Sequence, residues 1–339
     1  MKIEVNTHER CMLDFANICS CSADRISNKH PETLVLSADL GTSCEVKKFR
    51  AEKPDQYLTM GIAEQNMCSW AAGLAREGYR PFLHTFSVFL SRRILDQVEM
   101  SVAYPNLPVT FVGFVPGITT PGGVTHQSIN DVGIMRTVPN MAIFDVGDAT
   151  DIEGVLDLVY EWNGPAYIRM LRKEVPRLFP ANEPMVFNRA RTITEGDDVL
   201  ILSSSICTEE AMRATAALED KGVSVQHMHV STLKPFTDPT IVEALKKCKY
   251  GVVTMENHYN IGGLGSAVAD LMAENGIGKK LIKIGLNGYA HGASKMYLMT
   301  KYGIDAMNLV KSVEELIGKD LGIKEDDLDN QRFVDFLEV

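Results

Sequence analysis

The sequence predicts an α/β protein built from two doubly wound, mainly parallel-sheet domains. Short apolar, β-rich runs alternate with longer helical patterns along most of the chain. That rhythm builds βαβ units with helices on both faces of a sheet. It breaks once, at PRLFPANEPMVFNRARTITEGD (176–197), where three prolines and mixed charge read as an inter-domain linker, and then restarts. At 339 residues the chain is long enough for two cores of ordinary size.

Taken in order, a helical pattern over about 9–28 precedes the strand TLVLSAD (33–39). A second helix covers about 62–77, followed by the strand PFLHTF (81–86) and a helical pattern over 87–103. VTFVGF (109–114), a helix near 128–137, NMAIFDV (140–146), a helix over 149–162 and AYIRML (166–171) complete the first unit. After the break come DVLILSSS (198–205), a helix to Lys221, VSVQHMHV (223–230), a helix near 239–248, YGVVTMEN (250–257) and LIKIGL (281–286). The boundaries expected from this are a first domain over 1–178, a linker over 179–195, a second domain over 196–312 and an acidic amphipathic tail over 313–339.

Composition narrows the function. A formal net charge of −10 argues against nucleic-acid or anionic-membrane partners, which need a basic footprint. No apolar run approaches the roughly 20 residues that span a bilayer, and MKIEVNTHER has no signal-peptide core. Seven scattered cysteines without a C-x-x-C pair fit a reduced, cytoplasmic protein better than a disulfide framework or a zinc site. There is no H-E-x-x-H and no G-x-S-x-G, so metalloprotease and serine-hydrolase chemistry have no residues to rest on.

Strands in such sheets deliver ligand-contacting residues at their carboxyl ends. Asp39 and Ser43 follow the first strand, Thr85 and Phe86 close the second, His126 lies in the glycine-rich loop PGITTPGGVTHQ, and Arg169 and Arg172 end AYIRMLR. Any one of these has an ordinary structural reading; their convergence on one sheet edge predicts a pocket. Glu64, in YLTMGIAEQNMCSWAAGLA (57–75), opens a helix that is otherwise small and apolar. An acid there is stabilised by the helix dipole, by about 0.3–1 kcal/mol, or it is presented to a ligand. GGLGSAVADLMAE (262–274) follows a strand as a phosphate-cradling loop would, but it lacks the full G-x-G-x-x-G spacing. Close backbone packing is the commoner reason for such glycines.

These stretches together resemble the C-terminal half of transketolase, from about residue 7 to about 310. The strongest marker is GIAEQNMCSWAAGLAREGYRPFLHTFSVFL (61–90), supported by GGVTHQ (122–127), PAYIRMLRKEVP (165–176), GDDVLILSSS (196–205), STLKPFTD (231–238) and MENHYNIGGLGSAVAD (255–270). The resemblance implies a pyrimidine-binding domain followed by the family's C-terminal domain. It also implies thiamine diphosphate as cofactor, with a divalent metal such as Mg. Glu64 matches the glutamate that hydrogen-bonds N1′ of the aminopyrimidine and promotes the tautomer that takes the proton from C2 of the thiazolium. Phe86 matches the ring that stacks on the pyrimidine, and Phe89 extends that wall. Asp39 is carried as a further cofactor contact, and His126 matches the histidine that meets the substrate's donor end. Arg172 and Arg10 match arginines that bind the sugar phosphate, with Ser43, Arg92 and Arg169 as further substrate contacts. Forked guanidinium donors suit phosphate or sulfonate oxygens.

The resemblance also marks what this sequence lacks. No G-D-G-plus-asparagine motif for the diphosphate and metal is present, and residue 1 begins almost at the pyrimidine-binding domain. The expectation is the smaller subunit of a split transketolase. It would be active only with an N-terminal subunit that supplies those contacts, in an α2β2 assembly. The loop T-P-G-G-V-T-H-Q places Gly122 where sugar-specific relatives carry an aspartate that bonds a hydroxyl beside the reacting carbon. That departure points away from an ordinary pentose phosphate and toward apulose 4-phosphate or 6-deoxy-6-sulfofructose as ketose donor. The neighbouring readings are the β subunit of a 2-oxo-acid dehydrogenase and a non-catalytic regulatory subunit. Against the second stands the joint retention of Glu64, Phe86 and His126.

Overall fold

The structure, a computed structural model, describes residues 6–7, 30–172 and 175–329. The expected helix at 9–28, and Arg10 within it, lie outside the described residues. Strands in chain order are β1 (Asn6–Thr7), β2 (Thr33–Ser37), β3 (Tyr57–Thr59), β4 (Arg80–Phe86), β5 (Thr110–Phe114), β6 (Ala142–Asp145) and β7 (Ala166–Met170). They continue as β8 (Pro176–Arg177), β9 (Arg191–Thr194), β10 (Val199–Ser203), β11 (Val225–His229), β12 (Thr232–Lys234), β13 (Gly251–Tyr259) and β14 (Leu281–Leu286). Two mainly parallel sheets result. The first runs β12-β6-β7-β5-β4-β2-β3, and the second runs β14-β13-β10-β11-β9. All neighbours in them are parallel except β12 against β6 and β9 against β11. Strands β5, β6, β7 and β10 are buried along their whole length, as near-continuous apolar runs in a twice-covered sheet require.

Several boundaries differ from the sequence reading, each for a physical reason. YLT (57–59) is an edge strand too short to carry a period. The segment 87–103 is not one helix. Helix Ser87–Arg92 stops where Arg93 caps it, a short turn covers Leu95–Gln97, and a π-helical turn covers Val98–Ala103. Within the expected linker, β9 pairs with β11, so the second sheet begins before residue 196. Helix Ala306–Ile317 runs across residue 313, where the tail was expected to begin, and buries Leu309, Val310 and Val313.

The two halves are fastened by polar as well as strand contacts. Having left the second sheet at His229, the chain crosses to the first, and β12 pairs with β6. Lys234 Nζ donates to the carbonyls of Arg136 and Val138. Asn257, on β13, accepts from Ile118 N (3.0 Å) and donates to Pro116 O (3.1 Å).

A second buried network lies in the C-terminal half. His227 bonds Ser203 Oγ (2.8 Å) and Thr215 Oγ1 (3.2 Å), and burial together with His229 pushes its pKa down to about 3. The folded chain therefore keeps it neutral, while an unfolded chain protonates it below about pH 6.5. The stability it supports is complete above that pH and is lost as pH falls toward 3. At pH 5 the loss is about 2 kcal/mol. In urea unfolding, His227→Asn is expected to be less stable than the parent at pH 7 but to lose about 2 kcal/mol less on going to pH 5. Equal losses would show that His227 is not the group that titrates.

Candidate active site

Glu64 opens helix Glu64–Arg76 and heads its buried stripe, followed by Met67, Cys68, Ala71, Ala72 and Ala75. That spacing is one helical face. Gly61 turns the chain into the helix with φ +71°, a conformation that side chains disfavour. The Glu64 side chain is 2% exposed, and Arg93 Nη1 donates to both its oxygens at 2.8 Å. Arg93 itself is 42% exposed, and its guanidinium carbon lies 4.1 Å from the centre of the Phe89 ring.

Phe86 closes β4, and Phe89 follows one turn into helix Ser87–Arg92. Their rings stack with centres 5.9 Å apart. His126 stands edge-on to both, at 5.9 and 6.0 Å. Its Nδ1 is within 2.9 Å of Thr125 Oγ1, which leaves Nε2 as the nitrogen available to a ligand. The loop is held by Gln127, whose side chain donates to Thr120 O and, from the other half of the chain, His291 O. Arg172 lies 5.7 Å from the Phe86 ring centre and donates to Ser43 O at 3.3 Å. Glu64, Phe86, Phe89, His126, Arg172 and Ser43 thus form one cluster, with Arg93 joining Glu64 to the rings.

Gly122 borders this cluster. Its φ is not positive, so the backbone does not demand glycine; the neighbour does. A Cβ there would stand 2.9 Å from His126 Cβ and 3.0 Å from Cγ. Any side chain at 122 therefore displaces the imidazole.

Three further candidates sit elsewhere. Arg92 points to the loop and donates to Val124 O, Gln127 O and Asn130 Oδ1 at 3.3–3.5 Å, so its contacts here hold the loop. Asp39 is exposed beyond β2 with φ +61°, and no hydrogen bond among the described residues ties it to the cluster. Arg169 is corrected outright as a substrate contact: it is fully buried, donating to Asp131 (2.9 Å), Asp145 (3.0 Å) and Asn257 O (2.9 Å). Burial opposes its charge, and Asp131 and Asp145 outweigh that, so its pKa is raised.

The glycine-rich turn at 262–265 is filled from within. Glu256 accepts from Leu264 N (2.7 Å) and Gly265 N (2.8 Å) at the start of helix Leu264–Glu274. Burial raises its pKa to about 7 against the pull of those two bonds. A carboxylate of the chain's own thus takes the place of an external anion, and Gly262 packs against Gly133. Sequence reasoning missed both Glu256 and Arg93. The one available signal for Arg93 was the Arg92-Arg93 doublet at a helix end, where neighbours point about 100° apart.

Family models for the transketolase pyrimidine-binding domain and the transketolase C-terminal domain match residues 12–177 and 188–308. The chain is 37% identical over 292 residues to the 6-deoxy-6-sulfo-D-fructose transketolase subunit SqwH of Clostridium sp. (strain MSTE9), covering 86% of this chain and 90% of that one. The chain belongs to the transketolase family. It is also 31% identical over 276 residues to a subunit of the apulose-4-phosphate transketolase of Actinobacillus succinogenes, covering 80% of this chain and 88% of that one. Among solved structures it is similar to a "Split gene transketolase, inactive beta4 tetramer", with a TM-score of 0.82, 33% identity, and coverage of 89% of this chain and 98% of that one.

The transketolase family implies thiamine diphosphate and metal dependence. The donor set of this transketolase-family chain fits the cofactor's flat aminopyrimidine. A buried carboxylate lies beside a stacked aromatic pair, and it already holds a planar nitrogen cation, the Arg93 guanidinium. Among the described residues, no three His, Cys, Asp or Glu side chains group to hold a metal ion.

Proposed function

We propose that this chain is the C-terminal subunit of a split transketolase. In this reading it transfers a two-carbon ketol unit from a ketose phosphate or sulfonate to an aldose phosphate such as glyceraldehyde 3-phosphate. The observation that carries this is the single cluster of Glu64, Phe86, Phe89, His126 and Arg172, drawn from four separated segments. Thiamine diphosphate, when bound, supplies the electron sink that lets a carbon–carbon bond beside a carbonyl break and re-form. Glu64 would hold the aminopyrimidine through its buried carboxylate, the group at which a proton could be held or released. Phe86 and Phe89 give that ring a flat, dry face. His126 offers Nε2 to a substrate oxygen, its orientation fixed through Nδ1 by Thr125. Arg172 meets the anionic end of the sugar.

A second chain supplies the diphosphate and metal contacts, in an α2β2 assembly. Supporting this, Trp70 lies 54% exposed on the helix that carries Glu64, and Met100 is 60% exposed on the π-helical turn packed against it. The small residue at 122 and the close approach of His126 favour a donor other than an ordinary pentose phosphate, either apulose 4-phosphate, which is branched beside the reacting carbon, or 6-deoxy-6-sulfofructose, whose change lies at the far, anionic end. The names of the two relatives support the same choice. No helix of the described residues is long and apolar enough to cross a membrane.

Mixing separates the elements of this reading. The purified chain, alone and with an N-terminal transketolase subunit, thiamine diphosphate and magnesium, is given each donor with glyceraldehyde 3-phosphate. Ketol transfer is expected only from the mixture, and faster with the sulfonated or branched ketose than with an unbranched pentulose phosphate. Full activity of the chain alone would overturn the split site, and a preference for the unbranched sugar would overturn the substrate assignment.

A further inference from the structure

The Arg93 guanidinium has the attributes the cofactor's ring needs at this place. It is planar and bears N–H donors. One nitrogen meets both oxygens of Glu64 at 2.8 Å, and the group lies 4.1 Å from the centre of Phe89, well inside the roughly 6 Å at which a cation is attracted to a ring face. An aminopyrimidine hydrogen-bonded to Glu64 and set on the same aromatic wall would need that carboxylate and that face. We infer that Arg93 is an internal occupant of the pyrimidine subsite, which must leave Glu64 before the cofactor ring can take it. This rests on the thiamine diphosphate reading of the site.

The geometry allows the exchange. Glu64 is fixed on a buried helical stripe, whereas Arg93 caps a helix of only six residues and is 42% exposed. Its long side chain can swing into water without disturbing the core, and its charge keeps its hydration when it does. Arg92 cannot substitute for it, being committed to the loop carbonyls of Val124 and Gln127. The result is a carboxylate that is never bare: the guanidinium covers it when the ring is absent.

The test is cofactor affinity, read by calorimetry on the full chain in complex with its N-terminal partner, with magnesium and thiamine diphosphate as titrant. Arg93→Met keeps the stem and removes the charged plane. It is expected to bind thiamine diphosphate about tenfold tighter than the parent, equivalent to ~1.4 kcal/mol. Free guanidinium chloride at non-denaturing concentration should then weaken binding to Arg93→Met more than to the parent, because it refills the vacated place. Unchanged or weaker binding by Arg93→Met, with the parent binding normally, overturns the inference and leaves the site reading standing. If neither complex binds thiamine diphosphate, the site reading itself fails, and the inference with it.

Discussion

Replacing Glu64 with alanine is expected to cut turnover of the reconstituted enzyme by at least ~10³-fold while leaving the fold intact. Positioned proton-transfer groups contribute about 10²–10⁴-fold. Glu64 is the acid that opens its helix, and among the described residues it is the acid that pairs with Arg93 beside Phe89. The structural cost is small. The alanine continues the apolar stripe of Met67, Ala71 and Ala75, and the released Arg93 is exposed enough to be solvated. The substitution removes the buried partner of the pair and leaves only a solvated arginine behind, so no unpaired charge is buried and the thermal midpoint should move little. Glu64→Gln, which keeps the shape and one acceptor, should show nearly the same kinetic loss. Turnover within tenfold of the parent for either variant would remove Glu64 from the chemistry and reopen the regulatory-subunit reading.

Arg169→Met is expected to have the largest effect on stability, about 3–5 kcal/mol in urea unfolding, because it leaves buried carboxylates without their cation. Asp131 and Asp145 both lose their guanidinium partner, and Asn257 loses a donor to its carbonyl. Tyr167 still donates to Asp131 Oδ2 at 2.7 Å, which spares part of the cost. Against a typical total of 5–15 kcal/mol, such a loss lies close to unfolding. Replacing Arg169, Asp131 and Asp145 together by apolar residues should recover much of it, since no charge then remains buried. Arg172→Met, three residues on, should leave stability nearly unchanged. Equal destabilisation by the two arginine variants would contradict the different burial assigned to them.

The contrast between those two arginines marks what was legible in the sequence. Phe86 and His126 were found because fixed motifs, T-F-S-V-F-L and T-H-Q, place them; each motif is contiguous, so the local chain carries the information. Arg169 was misplaced because a strand buried on both faces has no polar side to mark which residue points inward. Its neighbours Asp131, Asp145 and Asn257 are distant in sequence and are brought together by tertiary packing. Arg93 was missed for a related reason: its role depends on the helix ending one residue earlier, and ends are set by context. The glycines at 262 and 263 were read correctly as packing residues, yet nothing local revealed that Glu256, six residues before Gly262, would cap the helix that follows. The alternating pattern itself predicted both sheets. It failed at β3, β9 and β12, which have four residues or fewer.

Short β12 has a consequence for how the molecule can be divided. It comes from the second half of the sequence but covers the outer edge of β6 in the first sheet. A gene fragment ending between β8 and β9 would expose the β6 backbone as an open template for pairing with other chains. The complementary fragment would carry a strand with nothing to pair with. The two halves resemble modules in the family models, yet neither is a portable part. Splitting the gene at that point would yield two sticky products, whereas a cut that leaves residues 30–329 together keeps β6 paired on both sides.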